Sequence, residues 1–244
     1  MGVRCAGWPY KKVEIRRSCV TVTYQKEGEP AYHVDFACYA DENNSLFIAK
    51  GKENSSEDNR YWEDSDPIGL IDKVKEKFSD EDDRAQFRRI IRYMKKWKNK
   101  HFETAGNGAP TGIAITALAY DKFSPHYETN IVTGKRVYDD FSALKEFVTR
   151  FKNSFSLYYD TTDGEFYHTI SCNLFVLPYN NLFAKMTAKQ QNNLYNKVCN
   201  IVTTLEEVEK KDKKSEACTL LVELFGSDFP VKTERSYVGH SESA

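Results

Sequence analysis

The hydrophobic pattern changes period once along the 244 residues, and that change constrains the fold more than any other feature of the chain. Up to about residue 50, β-branched and aromatic residues partly alternate with polar ones, as a half-buried strand requires. Val13 to Tyr24 reads as one strand, Gln25-Lys26-Glu27-Gly28-Glu29-Pro30 as a turn, and Ala31 to Tyr39 as a second strand, which together predict an antiparallel hairpin. Ser45 to Ala49 offers a third short strand, and the polar stretch Gly51 to Arg60 a loop. From Ile68 onward apolar residues recur every three or four positions, the period of a helix. Strands first and helices afterwards predict an α+β fold in which a small sheet-bearing portion leads into a helical lobe.

The helical part divides at recognisable boundaries. Ile68, Ile71, Val74 and Phe78 mark a helix that ends before Asp80-Glu81-Asp82-Asp83. Ser79 with Asp82 resembles a capping box and opens a longer helix to about His101. Phe87, Ile90, Met94, Trp97 and His101 share one side of it, and Arg84, Arg88, Arg92 and Lys95 the other. Pro110 fits the first turn of a helix to about Phe123, and Phe141 to Phe155 carries core spacing. Residues 166 to 177 are compatible with a strand or with irregular structure. Ala188 to Glu209 and Ser215 to Phe225 read as helices, Gly226 fits the position just past a helix end, and Lys232 to Ala244 reads as an exposed tail.

Composition excludes several classes. Fifteen Tyr, 15 Phe and 3 Trp supply ample surface for a core, and a net charge of −1 is not that of a globally basic nucleic-acid binder. No apolar run approaches the roughly 20 residues of a membrane helix, and no secretory signal pattern opens the chain, so a soluble cytoplasmic protein with no membrane partner is expected. Cys5, Cys19, Cys38, Cys172, Cys199 and Cys218 are scattered without metal-ligand spacing and are expected to be buried, reduced thiols.

Two places could hold chemistry. Asp35 interrupts the apolar strand Tyr32-His33-Val34-Asp35-Phe36-Ala37-Cys38, either on a wet face opposite a basic residue or as a magnesium ligand or general base. Eight basic residues and no acid lie between positions 84 and 100, a stripe that is either a solvated surface or a polyanion site centred on Lys95, with Arg84, Arg88 and Arg92 flanking it. Thr111 adds a hydroxyl and nearby free backbone amides at a helix start, which suit a phosphate. His33, His101, His126, His168 and His240 form no recognisable ligand set.

The order of these features carries more than any one of them. A strand Asp is followed by Trp62-Glu63-Asp64-Ser65-Asp66-Pro67, then by a basic helix with Arg92-Tyr93-Met94-Lys95-Lys96-Trp97, then by Pro110-Thr111 opening an apolar helix. Late in the chain comes Phe225-Gly226-Ser227-Asp228-Phe229-Pro230-Val231. From about Val13 to Val231 the chain resembles, in order, the bacterial cyclic GMP-AMP synthase-like (DncV-like) nucleotidyltransferases of the oligoadenylate-synthase superfamily. The resemblance implies a nucleotidyltransferase sheet lobe followed by a helical lobe, ATP, GTP or other NTPs as substrates, two Mg²⁺ ions as cofactors, and cyclic di- or oligonucleotide synthesis in antiphage signalling, with operon-encoded regulatory proteins as partners. On that template Asp35 matches one of three metal-binding, catalytic acids. Lys95 and Thr111 match the residues that grip the triphosphate, with Arg92 grouped among the nucleotide contacts. Ser65 and Asp66 fall where a nucleobase is contacted. Residues 1–66 correspond to the C-terminal part of the catalytic lobe, 67–231 to the helical lobe and 232–244 to a flexible tail.

The family's Gly-Ser turn and Asp-x-Asp strand have no counterpart before Asp35, where the only acids are Glu14, Glu27 and Glu29. The chain is therefore expected to be a truncated cyclase, one half of a split enzyme whose partner chain supplies that segment, or a noncatalytic nucleotide or nucleic-acid binding relative. In each case it is expected to be inactive in nucleotide transfer alone. The strands at 13–39 are also expected to expose an edge and an apolar face.

Overall fold

The computed structural model describes residues 10–103 and 108–230. The expectations for Cys5 and for the tail Lys232 to Ala244 lie outside the described residues. The fold is α+β, and the chain divides into two compact units, one reaching Asp72 and including Phe175–Tyr179, the other made of Lys73–Leu174 and the residues from Asn180 on.

The first unit contains two three-stranded antiparallel sheets. In one, β1 (Tyr10–Arg16), β2 (Cys19–Lys26) and β3 (Glu29–Phe36) form a meander. The single strand expected over Val13 to Tyr24 is thus two strands, folded at Arg17-Ser18. That turn lacks the Gly, Pro or Asn that announces one, whereas the next turn has Glu27 and Gly28 at φ 55° and 86°, and the glycine made it legible. The second expected strand also stops early, at Phe36. The second sheet is β4 (Tyr39–Glu42), β5 (Ser45–Lys50) and β6 (Tyr61–Ser65). The loop between β5 and β6 holds one 3₁₀ turn, Glu57–Asn59. The sheets are tied by the Gly51 amide donating to the Arg17 carbonyl at 2.8 Å, and by Lys50, which reaches Ser18 at 3.1 Å and Glu63 at 2.9 Å. Helix α1 (Pro67–Lys75) follows, and the boundary between the units falls inside it.

Register places Val13, Val22 and Val34 in one cross-strand row of the first sheet, and Ile15, Val20 and Phe36 in the next. Val13, Ile15 and Phe36 are 55%, 51% and 53% exposed, so an aliphatic-aromatic sheet face lies open to solvent. Thr21 and Asp35 share the opposite face, and there Thr21 is fully buried.

The second unit is helical. Its helices are α2 (Glu81–His101), α3 (Gly112–Lys122), α4 (Asp140–Lys152), α5 (Ala188–Glu209) and α6 (Lys214–Phe225). Two hairpins interrupt them, β7 (Tyr127–Thr129) with β8 (Arg136–Tyr138) and β9 (Ser156–Asp160) with β10 (Glu165–Thr169). The apolar stripe expected on α2 is the core: Phe87, Ile90, Met94 and Trp97 are buried against Ile115, Leu118, Phe147, Leu194 and Ile201. His101 lies at the edge of this packing and contacts the Leu224 carbonyl at 3.0 Å.

Four helix boundaries differ from expectation. Helix α1 ends at Lys75, which leaves Phe78 outside it. Asp80, not Ser79, caps α2, because its carboxylate reaches the amides of both Asp82 and Asp83. Pro110 lies before the first turn of α3, and Thr111 is itself the cap. Helix α4 ends at Lys152, ahead of Phe155. Thr187 and Gln190 form a reciprocal capping box at the start of α5. Thr187→Ala is expected to lower stability by about 1 kcal/mol. An unchanged urea midpoint for the full chain would mean that α5 does not depend on its cap.

No helix among the described residues is long and apolar enough to cross a membrane. The expected burial of the cysteines is corrected: Cys38 is exposed, and Cys19, Cys172, Cys199 and Cys218 are half-buried free thiols.

Candidate functional site

Helix α2 spends half of its basic residues on structure. Arg84 turns back onto the carbonyls of Phe78 and Ser79. Arg89 makes a bidentate pair with Asp140 at 2.6 and 2.8 Å. Lys96 pairs with Asp228 at 2.6 Å, and Lys100 caps the Val222 and Glu223 carbonyls of α6. The side chains of Arg88, Arg92, Lys95 and Lys98 form no hydrogen bond or ion pair among the described residues. The basic stripe is therefore only partly available to a ligand.

Lys95 differs from the other three in where it sits. A Cβ placed on Gly112 would lie 3.5 Å from its Cε and 3.9 Å from its Nζ, so the amine rests over the first residue of α3. Thr111 caps this same helix end, its Oγ accepting the Ala114 amide at 3.2 Å. Thr111 is exposed and Lys95 half-buried. The first amides of a helix have no intrahelical acceptor and carry its positive dipole end. Partial burial, with Lys98 nearby, pulls the Lys95 amine below the usual lysine range. A cation held against the positive end of a helix, with no ion-pair partner among the described residues, leaves a place where an anion lowers the energy of every neighbour. Exposed Arg92 stands one turn of α2 before Lys96 and three residues before Lys95.

The candidates in the first unit have other surroundings. Asp35 on β3 accepts a 2.5 Å hydrogen bond from the Thr21 hydroxyl across the ladder, and His33 stands 3.9 Å from its other oxygen. Its cross-strand neighbour is a threonine, not the basic residue that a solvated ion pair calls for. Its side chain remains half exposed, so it keeps lone pairs for a ligand. Asp66 accepts the Gly69 amide at 2.7 Å and so caps α1. A Cβ at Gly69 would fall 2.0 Å from Asp66 Oδ2, so a larger residue there would push the carboxylate off this position. Ser65 ends β6 opposite Leu46. Among the described residues no group of three or more His, Cys, Asp or Glu is placed to hold a metal ion. By themselves these residues do not fit a pair of Mg²⁺ ions, because Asp35 brings one carboxylate to chemistry that shares several.

Sequence reasoning missed the Asp140 cluster. Asp140, at the start of α4, accepts from Arg89, from buried Gln86 at 3.2 Å and from the Tyr93 hydroxyl at 3.1 Å. Gln86 also holds His126 by its amide and carbonyl. The adjacent acids Asp139-Asp140 before an apolar helix were the available signal.

Set beside known proteins, this geometry has a class. The chain has the fold of the bacterial dinucleotide cyclases that are homologous to cyclic GMP-AMP synthase. In particular, it is similar to the cyclic AMP-GMP synthase DncV of Vibrio cholerae, at 18% identity and a TM-score of 0.57 over 93% of this chain and 54% of that one. The GTP-bound form of that enzyme gives a TM-score of 0.63 at 16% identity over 93% and 53%, and Escherichia coli DncV with 3′-deoxy GTP gives 0.56 at 16% over 91% and 52%. A cyclic GMP-AMP synthase of Escherichia albertii is 32% identical over 65 residues, 27% of this chain and 15% of that protein. The chain spans about half the length of the solved chains it matches. No family model matches it.

Proposed function

We propose that the chain is the nucleotide-holding part of a cyclic di- or oligonucleotide synthase of the DncV-like family acting in antiphage signalling, with ATP, GTP or another NTP as its ligand. The observation that carries this reading is Lys95 lying over the capped start of α3, a cation beside a positive helix end that makes no ion pair or hydrogen bond among the described residues. In the proposal Lys95 Nζ and the Thr111 hydroxyl hold the triphosphate and Arg92 adds charge at its edge. Ser65 and Asp66 enter the proposal from the family resemblance alone, as contacts to a nucleobase. The chain divides, on this reading, into a partial catalytic lobe over 1–66, a helical lobe over 67–231 and a tail. The likeness to structures solved with GTP, and with ATP and GTP together, supports an NTP as the ligand.

Asp35 enters the proposal as one member of a carboxylate set for Mg²⁺, the rest coming from a Gly-Ser and Asp-x-Asp segment on a longer form of the chain or on a partner. The open face bearing Val13, Ile15 and Phe36 supports this, since an aliphatic sheet face is a surface that a further layer covers. Operon-encoded regulators and a cytoplasmic setting belong to the same reading, and one experiment separates synthesis from the noncatalytic alternative. With a chain carrying the missing segment, ATP, GTP and Mg²⁺, the wild type is expected to form a cyclic product. Asp35→Asn is expected to abolish that product while leaving nucleotide affinity within about twofold, because it removes a charge from the metal set and not from the triphosphate wall. Product formed equally by Asp35→Asn would remove Asp35 from the chemistry. No product from wild type would favour the binding-only reading.

A further inference from the structure

The segment Phe225-Gly226-Ser227-Asp228-Phe229-Pro230 takes no part in the proposed triphosphate site, yet it helps enclose a cavity of about 470 Å³. Its construction is specific. Gly226 ends α6 at φ 108°, a backbone conformation that side chains rarely adopt, and a Cβ there would meet Asp228 Oδ1 at 3.1 Å. The turn brings the Phe229 amide onto the Gly226 carbonyl at 3.0 Å and lays the Phe229 ring at 26° to that of Phe225, with 6.1 Å between centroids. The walls are completed by Tyr93 of α2, by Phe141 and Leu144 of α4, and by Leu221 of α6.

The polar groups at this cavity differ in availability. Asp140 is neutralised by the Arg89 fork, and the Tyr93 hydroxyl is already donated to Asp140. The walls therefore ask for an apolar body, and their rings favour a flat aromatic one. The Lys96–Asp228 pair at the rim is different. The two side chains are 47% and 70% exposed, so their ion pair is a weak one that an incoming anion can replace. Arg92, one turn away on α2 and unpaired, adds positive charge. Neither Lys95 nor Thr111 lines this cavity.

We propose that the cavity under this segment is a second ligand site, for a small molecule with an aromatic body and one anionic group, the body lying among Phe225, Phe229, Phe141 and Leu144 and the anion displacing Asp228 from Lys96. The proposal goes beyond the nucleotide reading and stands without it. Two dyes of like shape test it on the full chain: 1-anilinonaphthalene-8-sulfonate, which carries the anion, and neutral N-phenyl-1-naphthylamine. Wild type is expected to bind both saturably by fluorescence titration. Leu221→Trp, which fills the cavity, is expected to remove the saturable component for both. Lys96→Gln is expected to weaken the anionic dye about tenfold while leaving the neutral one within about twofold. Lys96→Gln alters a rim residue and not the walls, so its contrast between the dyes stands even if Leu221→Trp does not fold. Absence of saturable binding to wild type would overturn the proposal. So would equal effects of Lys96→Gln on both dyes, or undiminished binding by a folded Leu221→Trp, which would place the dyes on the open β1–β3 face instead.

Discussion

Lys95→Ala is expected to lower affinity for ATP and GTP by about tenfold to a hundredfold, the range for losing a charge-assisted hydrogen bond to phosphate. It is expected to do so without lowering thermal stability. These two results belong together. The Lys95 amine makes no ion pair or hydrogen bond among the described residues, sits against the positive end of α3, and is pulled below its usual basicity by partial burial. Removing it relieves a like-sign contact in the free protein, so the melting temperature is expected to stay level or rise slightly. A lysine whose role was structural would show the opposite, a lower melting temperature with nucleotide binding reduced only in proportion to unfolding. Thr111→Ala separates the parts further. It removes a hydroxyl that also caps α3, so it is expected to cost both affinity and about 1 kcal/mol of stability.

Asp140→Asn is expected to cost about 2 to 3 kcal/mol at neutral pH, somewhat less than breaking a fully buried ion pair, because Arg89 and Asp140 each keep part of their surface in water. The substituted amide keeps one acceptor and turns its N–H group toward the Arg89 fork, so either buried Gln86 or the Tyr93 hydroxyl also loses its acceptor. The effect is also pH-dependent. Burial raises the Asp140 carboxyl, but the hydrogen bonds from Arg89, Gln86 and Tyr93 outweigh it and hold the group below its ordinary 3.8. A carboxyl depressed in the folded state stabilises the fold fully above its unfolded value, and that contribution is lost as pH falls through the folded value. The stability gap between wild type and Asp140→Asn is thus expected to be constant from pH 7 to about 5 and to shrink below about 4. Urea unfolding at pH 7, 5 and 3 measures it. A gap that persists undiminished in acid would mean that Asp140 acts through shape and not charge.

The parts of the molecule legible in the sequence are those where one residue type has one physical job. The stripe Phe87, Ile90, Met94, Trp97 could only be a buried helix face, and it is. Gly28 and Gly226 marked a turn and a helix end because their positive φ demands glycine. Where several residues can do the same job, the reading slipped by a step. Ser79 and Asp80 both cap well, and the carboxylate that reaches two amides took the position. The turn at Arg17-Ser18 has a serine as its only turn-favouring residue, and the ladders on both sides, to which single-residue patterns are blind, hold it. The hairpin of β9 and β10 was missed although Asp163-Gly164, with the glycine at φ 75°, announces its turn, because the strands on either side are short and mostly exposed.

The candidate site was legible at Lys95 and Thr111, which the fold brings to one helix end. It was not legible which of the eight basic residues remain available, because Arg84, Arg89, Lys96 and Lys100 are bound by carbonyls and carboxylates that lie far away in sequence or have no periodic signal. Asp35 kept its half-exposed carboxylate but exchanged its expected basic neighbour for Thr21.

The most direct test of the account is competition for one site by ligands that share only the triphosphate. Calorimetric titration of the full chain with GTP, GMP and inorganic tripolyphosphate, on wild type and Lys95→Ala, is predicted to show GTP and tripolyphosphate competing for a single site that Lys95→Ala weakens at least about tenfold, with GMP binding much more weakly. GTP bound equally well by Lys95→Ala, or not displaced by tripolyphosphate, would contradict the claim that the capped start of α3 and Lys95 form the wall that holds the nucleotide.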